Sequence, residues 1–157
     1  MPRREALPPE KLQITRRHLP HWTMTGATYF ITFRVASGCL NSSEVVLVRD
    51  HIRSGDPSYY ELPAAVVLPD HAHLLLRPQA ETPVTRIMKG IKGVTARLIN
   101  RQRGERGSIW QDESFDRIVR DREEFREKLR YMILNPVRAG LTRDPWSYPG
   151  LFIKQES

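Results

Sequence analysis

The sequence predicts an α+β fold: an antiparallel sheet with its helices packed on one face. Three observations carry that reading. The apolar pattern alternates between a strand period and a helix period in the order β-α-β-β-α-β-α. Two apolar runs, Tyr59 to Leu68 and His71 to Arg77, are separated only by Pro69-Asp70, a connection that suits an antiparallel hairpin. The stretch after Pro83 carries a long stripe of apolar residues at helical spacing. No internal repeat is present. Segments in this order fold as the ferredoxin-like, or split βαβ, arrangement.

Each element has a local reason. Thr28 to Ala36 is rich in aromatic and β-branched residues and alternates, with Tyr29, Ile31, Phe33 and Val35 on one face and Thr28, Phe30, Thr32 and Arg34 on the other. A turn follows around Gly38 and Asn41. Ser43 to Arg53 suits a helix, with Ser42 or Ser43 as its cap and Val45, Val46, Val48 and Ile52 as its apolar side. The hairpin comes next. Pro83 then opens a helix in the first-turn position proline favours, and the helix runs into a basic loop at Arg101 to Gly107. Its stripe is Val84, Ile87, Met88, Ile91, Val94 and Leu98. Phe115 to Val119 is the best last strand. Asp121 caps a third helix to about Asn135, with Phe125, Leu129, Met132 and Ile133 inward and Pro136 as its stop. Residues 1–21 read as a basic, proline-bounded arm. Residues 22–157 read as one domain, whose tail from about 137 is irregular and packed through Trp146, Tyr148 and Phe152.

Composition narrows the function classes. The chain has 157 residues, 39% hydrophobic and 27% charged, an ordinary globular mixture. Its longest uninterrupted apolar run, Ala64 to Leu68, is far short of the roughly 20 residues a membrane helix needs. The start of the sequence is charged and proline-rich, unlike a secretory signal. A single cysteine, Cys39, excludes an intrachain disulfide framework and a multi-cysteine zinc site, so a cytoplasmic home is expected. Cys39 itself reads as a small apolar residue rather than a nucleophile. Lys+Arg 25 against Asp+Glu 18 leaves +7, which suggests a polyanionic partner such as nucleic acid, although many basic proteins bind none.

Several residues are candidates for chemistry. His71 and His73 are two apart on a strand, so their imidazoles leave the same face while Ala72, Leu74 and Leu76 point to the core. Such a pair can grip one divalent cation; two ordinary surface histidines would show the same pattern. Tyr131 and Asn135, four apart on the third helix, share a face off the apolar stripe. A phenol can attack phosphorus, and an amide oxygen can be a third metal ligand. Packing at Tyr131 and a helix end at Asn135 are the plainer alternatives. Arg86, Lys89, Arg97 and Arg101, flanked by Lys92, form a basic side of the long helix that offers a phosphate track. Trp110 could stack on an unpaired base, with Gln111 bonding to it. Arg117 could bind phosphate, as could Arg120, Arg126 and Arg130, but Asp121, Glu123, Glu124 and Glu127 are close enough to pair with them. The sequence suggests no chemical role for His18, His21 or His51.

Three segments together resemble a known family. Val66-Val67-Leu68-Pro69-Asp70-His71-Ala72-His73-Leu74-Leu75-Leu76 resembles the histidine motif of the small HUH single-tyrosine transposases. The run from Arg130 to Leu141, RYMILNPVRAGL, is similar to their nucleophile helix. His21-Trp22, Gly26 to Arg34, Ile109-Trp110-Gln111 and Phe115-Asp116-Arg117 resemble flanking blocks of one branch, the REP-associated tyrosine transposases, linked to repetitive extragenic palindromes. The resemblance runs from about Leu19 to Pro149, and the order and spacing of the blocks make it specific.

The resemblance implies that His71 and His73 bind a metal ion and that Asn135 supplies the third ligand. It implies Tyr131 as the nucleophile, on a C-terminal helix, and Mg²⁺ or Mn²⁺ as the cofactor. Ala72 departs from the family's bulkier middle residue, which should alter packing rather than metal binding. A free phenol, with a pKa of about 10, is a poor nucleophile at neutral pH, so a cation that polarises the scissile phosphate fits the chemistry. The implied activity is that of a metal-dependent single-strand DNA endonuclease and strand transferase, forming a 5′-phosphotyrosine at palindromic repeat DNA. Its partner would be single-stranded or hairpin DNA, its location the cytoplasm at the nucleoid, and its state a monomer in preference to a dimer. The rival readings are a non-catalytic, domesticated nucleic-acid binding module on the same fold and a metal-dependent hydrolase of another phosphodiester.

Overall fold

A computed structural model describes residues 19–22 and 26–155. Most of the arm assigned to residues 1–21 therefore lies outside the described residues; its end, Leu19, packs with Trp22 against the body.

The chain runs β1 (Tyr29–Val35), α1 (Ser42–Ser54), β2 (Tyr60–Val67), β3 (His71–Pro78), α2 (Val84–Arg103), β4 (Trp110–Ile118), α3 (Arg122–Arg138), a 3₁₀ turn (Pro145–Ser147) and β5 (Leu151–Ile153). The strands form one sheet in the order β4-β1-β3-β2-β5, with every pairing antiparallel. The first four strands and two helices have the split βαβ arrangement expected from the sequence.

The placement of the helices differs from expectation. α1 and α2 cover one face, where Val45, Val48, Ile52, Ile87 and Ile91 meet Ile31, Phe33, Leu74 and Leu76. α3 covers the other, where Phe125, Leu129, Met132 and Ile133 meet Phe30, Ala64, Val66 and Leu75. The reason is legible in β2 and β3. Ala64 to Leu68 and Leu74 to Leu76 are all buried, and a strand covered on both faces is continuously apolar rather than alternating.

Element ends also shift. Asn41, not a serine, caps α1: its side chain accepts from the Glu44 backbone at 2.8 Å, and Glu44 Oε1 accepts in return from the Asn41 backbone at 2.9 Å. Buried Glu44 also receives Arg103 Nε at 2.6 Å, tying the start of α1 to the end of α2 and holding the Glu44 carboxyl below its ordinary range. The buried stripe of α2 ends in Thr95 and Ile99 rather than Val94 and Leu98. β4 begins at Trp110, five residues before the expected strand, because Ala36 donates to the Ile109 carbonyl and the β1–β4 register shifts between Phe33 and Val35.

The largest departures are near the C-terminus. α3 passes through Pro136 and ends at Arg138. Proline removes one helical donor, but Pro136 and Val137 are buried and Ala139 still donates to the Asn135 carbonyl at 2.9 Å. The tail is not irregular. β5 adds to the sheet beside β2, pairing Ala64 with Ile153 and Val66 with Leu151. Gly150 makes this possible, since a Cβ there would run into the Val67 carbonyl oxygen. The Tyr148 hydroxyl donates to that same carbonyl at 2.8 Å. Tyr148 and Phe152 pack as expected, whereas Trp146 is exposed. Cys39 is exposed too, not an apolar filler.

Candidate active site

The site lies on the α3 face of the sheet, beyond the part that the apolar stripe of α3 covers. Cross-strand register builds its floor. Thr32 of β1 stands opposite His73 on one side and Phe115 on the other, and Arg34 stands opposite His71. Because facing residues in neighbouring strands share a face, His73, Thr32 and Phe115 form one row across β3, β1 and β4.

α3 brings Tyr131 over that row. The Tyr131 ring lies 5.3 Å from the His73 ring, edge to face, and 6.4 Å from Phe30. The His73 ring in turn stacks on Phe30 at 5.3 Å and meets the His71 ring at 4.8 Å. The sequence candidates His71, His73 and Tyr131 are thus brought together. Tyr131 is 39% exposed, which is compatible with reach to a substrate. Asn135 sits one turn further along the same helix.

The hydrogen bonding orients both imidazoles alike. His71 Nδ1 lies 2.7 Å from Asp70 Oδ1. An ionised carboxylate only accepts, so the hydrogen of this bond is on Nδ1 and Nε2 is the nitrogen turned away from Asp70. That bond also holds the Asp70 carboxyl below its usual range. His73 Nδ1 lies 2.8 Å from Thr32 Oγ1, which fixes the ring. Burial, followed by the electrostatic influence of His71, Arg34 and Lys128, pulls His73 down to about 3, so its imidazole is neutral at physiological pH. A neutral imidazole is the form that binds a metal.

Among the described residues, two buried side-chain polar atoms have no hydrogen-bond partner: His73 Nε2 and Asn135 Oδ1. Leaving such a group unpaired costs roughly 1–3 kcal/mol, so a pair of them asks for an explanation. A carboxamide oxygen offers a lone pair, as does imidazole Nε2 in the tautomer whose hydrogen is on Nδ1, and both atoms belong to residues that the sequence marks as metal ligands. The donor set fits a divalent cation held by two imidazoles and a carboxamide. No group of three His, Cys, Asp or Glu side chains able to hold a metal occurs among the described residues.

A groove of about 590 Å³ opens beside these residues, lined by Thr32, Arg34, His73, Phe115, Lys128 and Tyr131 among others. Its cations, Arg34 and Lys128, were not singled out by the sequence, and neither were Thr32, Asp70 and Phe115. The available signal was the alternation of β1, which puts Phe30, Thr32 and Arg34 on one face. Without the register, that face could not be matched to the histidines.

The proposed nucleic-acid contacts fare less well as a group. Arg86, Lys89, Arg97 and Arg101 are exposed, but α2 lies on the opposite face of the sheet from Tyr131. Lys92 is half-buried and donates to the Asp112 carbonyl at 3.0 Å. Trp110 is no stacking platform. It is buried, its ring packs edge-on against Phe33 at 4.7 Å, and its Nε1 donates to Thr95 Oγ1 at 2.9 Å. Gln111 is exposed and lines the groove. Arg117 is held by Glu124 at 2.8 Å, with Arg120 on the same carboxylate at 3.2 Å.

Known proteins share part of this sequence and most of this fold. The family model for IS200-like transposases matches residues 56–129, which include both histidines and stop just short of Tyr131. No curated protein matches the chain in sequence. The structure of a REP-associated tyrosine transposase bound to a REP hairpin superimposes with a TM-score of 0.62 at 21% identity, covering 89% of this chain and 82% of that one. A candidate transposase from Deinococcus radiodurans R1 gives a TM-score of 0.52 at 20% identity, over 79% of this chain and 97% of the other. At these identities the likeness is one of fold. Among the described residues no helix is long and apolar enough to cross a membrane. Over residues 56–129 the chain has the sequence pattern of the IS200-like transposases, and over most of its length it has the fold of a REP-associated tyrosine transposase.

Proposed function

We propose that the protein is a transposase of the HUH single-tyrosine type, a metal-dependent endonuclease and strand transferase acting on single-stranded or hairpin DNA from palindromic repeats. One observation carries the reading: His73 Nε2 and Asn135 Oδ1 are buried and unpartnered, and the Tyr131 ring stands against His73.

In this reading His71, His73 and Asn135 hold the Mg²⁺ or Mn²⁺ that the resemblance implies, and three protein ligands would leave positions open for phosphate oxygens. The chemistry such an ion supplies is polarisation of the scissile phosphate. Asp70 and Thr32 keep the two imidazoles turned toward the site. Tyr131 Oη attacks phosphorus as the bond to the 3′-oxygen breaks. The phenolic proton is lost and the departing 3′-oxygen gains one, leaving a 5′-phosphotyrosine and a free 3′-hydroxyl. A second 3′-hydroxyl can reverse the step, so strands are rejoined without a nucleotide cofactor. Arg34 and Lys128 line the groove where the phosphate backbone would pass. Arg86, Lys89, Arg97 and Arg101, on the far face, suit a duplex stem that wraps beyond the site. The protein would work at the nucleoid as a monomer, with β5 and the tail occupying one edge of the sheet.

The test is incubation with a palindrome-derived single strand and Mn²⁺, followed by denaturing electrophoresis. The expected result is a covalent protein–DNA adduct that the wild type forms and Tyr131→Phe does not. Adduct formation by Tyr131→Phe at the wild-type rate overturns the nucleophile. Tight binding without cleavage favours a binding module, and turnover without an adduct favours a hydrolase.

A further inference from the structure

Phe115 is one of the most exposed apolar side chains of the described residues, at 62%, and nothing in the fold accounts for it. It is central in β4, on the sheet face that carries His73, and only Thr32 separates the two in register. Two strand spacings, about 10 Å, therefore lie between the Phe115 and His73 backbones. No other aromatic ring among the described residues packs on it. It lines the same groove as Tyr131, His73, Arg34 and Lys128.

A single aromatic face beside two cations is the chemistry that receives an unpaired nucleobase and its phosphate. The groove is not uniformly basic, however. Glu113, two residues from Phe115 on the same strand face, also lines it. A carboxylate there repels phosphate but accepts from an exocyclic amine, as acidic side chains do at cytosine N4.

We propose that Phe115 is a stacking platform for one unpaired base of the substrate strand, and that Glu113 selects a base bearing an exocyclic amine over thymine. This deepens the proposed function, resting on that reading only in taking the ligand to be a single strand that passes Tyr131. Arg34 and Lys128 take the phosphates, Phe115 takes the base face, and Glu113 takes the base edge.

The experiment separates this inference from the nucleophile. Binding of fluorescently labelled oligo-dC and oligo-dT of about twelve nucleotides, within the range of single-strand site sizes, is measured by anisotropy with chelator present, so that no strand is cut. Loss of one stacked base costs roughly 1–3 kcal/mol. Phe115→Ala is therefore expected to weaken oligo-dC binding about fivefold to 150-fold, whereas Phe115→Trp retains it. The wild type prefers oligo-dC to oligo-dT, and Glu113→Gln reduces that preference. A 2-aminopurine placed in an oligo-dC strand is quenched by the wild type and not by Phe115→Ala. Unchanged affinity and quenching in Phe115→Ala overturn the platform. Equal binding of the two oligonucleotides by the wild type overturns the role of Glu113. A shift in sedimentation of Phe115→Ala with DNA binding unchanged shows the face to be a contact between copies, and overturns the proposal. Binding that depends on Phe115 in a protein that forms no Tyr131 adduct leaves the platform standing and removes the nucleophile.

Discussion

Thr32 Oγ1 lies 2.8 Å from His73 Nδ1, across the β1–β3 pairing, and leaves Nε2 of the same ring as the atom without a partner. The threonine therefore sets which nitrogen faces the site. Removing its hydroxyl orphans Nδ1 and frees the ring to turn. Groups that orient a metal-binding histidine typically contribute 10–100-fold in affinity. Thr32→Val is expected to weaken Mn²⁺ binding by about that factor in calorimetric titration, whereas Thr32→Ser keeps wild-type affinity. An affinity in Thr32→Val equal to that of the wild type would show the bond to be only structural.

Asn135 offers the complementary test. Its Oδ1 is buried without a partner, so the metal-free protein carries a cost of roughly 1–3 kcal/mol that a bound cation would remove. In Asn135→Ala that cost vanishes, offsetting the packing lost with the side chain. The metal-free melting temperature should therefore change little. The rise on adding Mn²⁺ should shrink markedly, since a ligand at 100 times its Kd stabilises by about 2.7 kcal/mol and at Kd by far less. Wild type and variant responding equally to Mn²⁺ would remove Asn135 from the ligand set.

The sequence was most informative where one periodicity governs an element, and least where two elements meet. His71 and His73 could be put on one strand face, and Tyr131 and Asn135 on one helix face, from spacing alone. That the two faces confront each other depends on α3 lying on the sheet face opposite α1 and α2. Only the unbroken apolar runs Ala64 to Leu68 and Leu74 to Leu76 hint at that. Trp110 was misread because a tryptophan in a polar loop looks available, and its partner Thr95 lies on another element. Phe115 was seen as a strand residue, but its exposure depends on how far the apolar stripe of α3 reaches across the sheet. β5 escaped notice because three residues bounded by Gly150 and Lys154 carry too short a pattern to be recognised, and the sheet edge they join is set by tertiary packing.

The burial of Trp110 has its own consequence. Its Nε1 donates to Thr95 Oγ1, whose hydroxyl in turn donates to the Ile91 carbonyl at 2.7 Å. Trp110→Phe removes one hydrogen bond and part of a buried ring while leaving the Thr95 donor satisfied. Urea unfolding should show a loss of about 2 kcal/mol, in the range of a lost bond plus a partly filled cavity. Oligonucleotide affinity should remain within about twofold of wild type. A large loss of DNA binding with stability intact would return Trp110 to the interface.

The acid sensitivity of the fold should centre on His73. Its pKa is pulled to about 3 from the ordinary value near 6.5, chiefly by burial. Between those values the unfolded chain holds a proton that the native state does not. Stability therefore rises with pH across that window and is lost as pH falls through it, by up to about 1.4 kcal/mol per pH unit from this group. Half-buried His51, also lowered by burial, acts with the same sign. Glu124 is held down to about 2, first by its hydrogen bond to Arg117, so its contribution is present above about 4.5 and fades as pH falls below. The range from about 4.5 to 6.5 thus isolates the histidines. Urea unfolding of the metal-free protein across that range should give a positive slope, and His73→Gln, which cannot titrate, should lower it by about 1 kcal/mol per unit. His51→Gln should lower it less. A slope unchanged in His73→Gln would mean that the imidazole is hydrated and protonated in the native state, which would also deny it to a metal at mildly acidic pH.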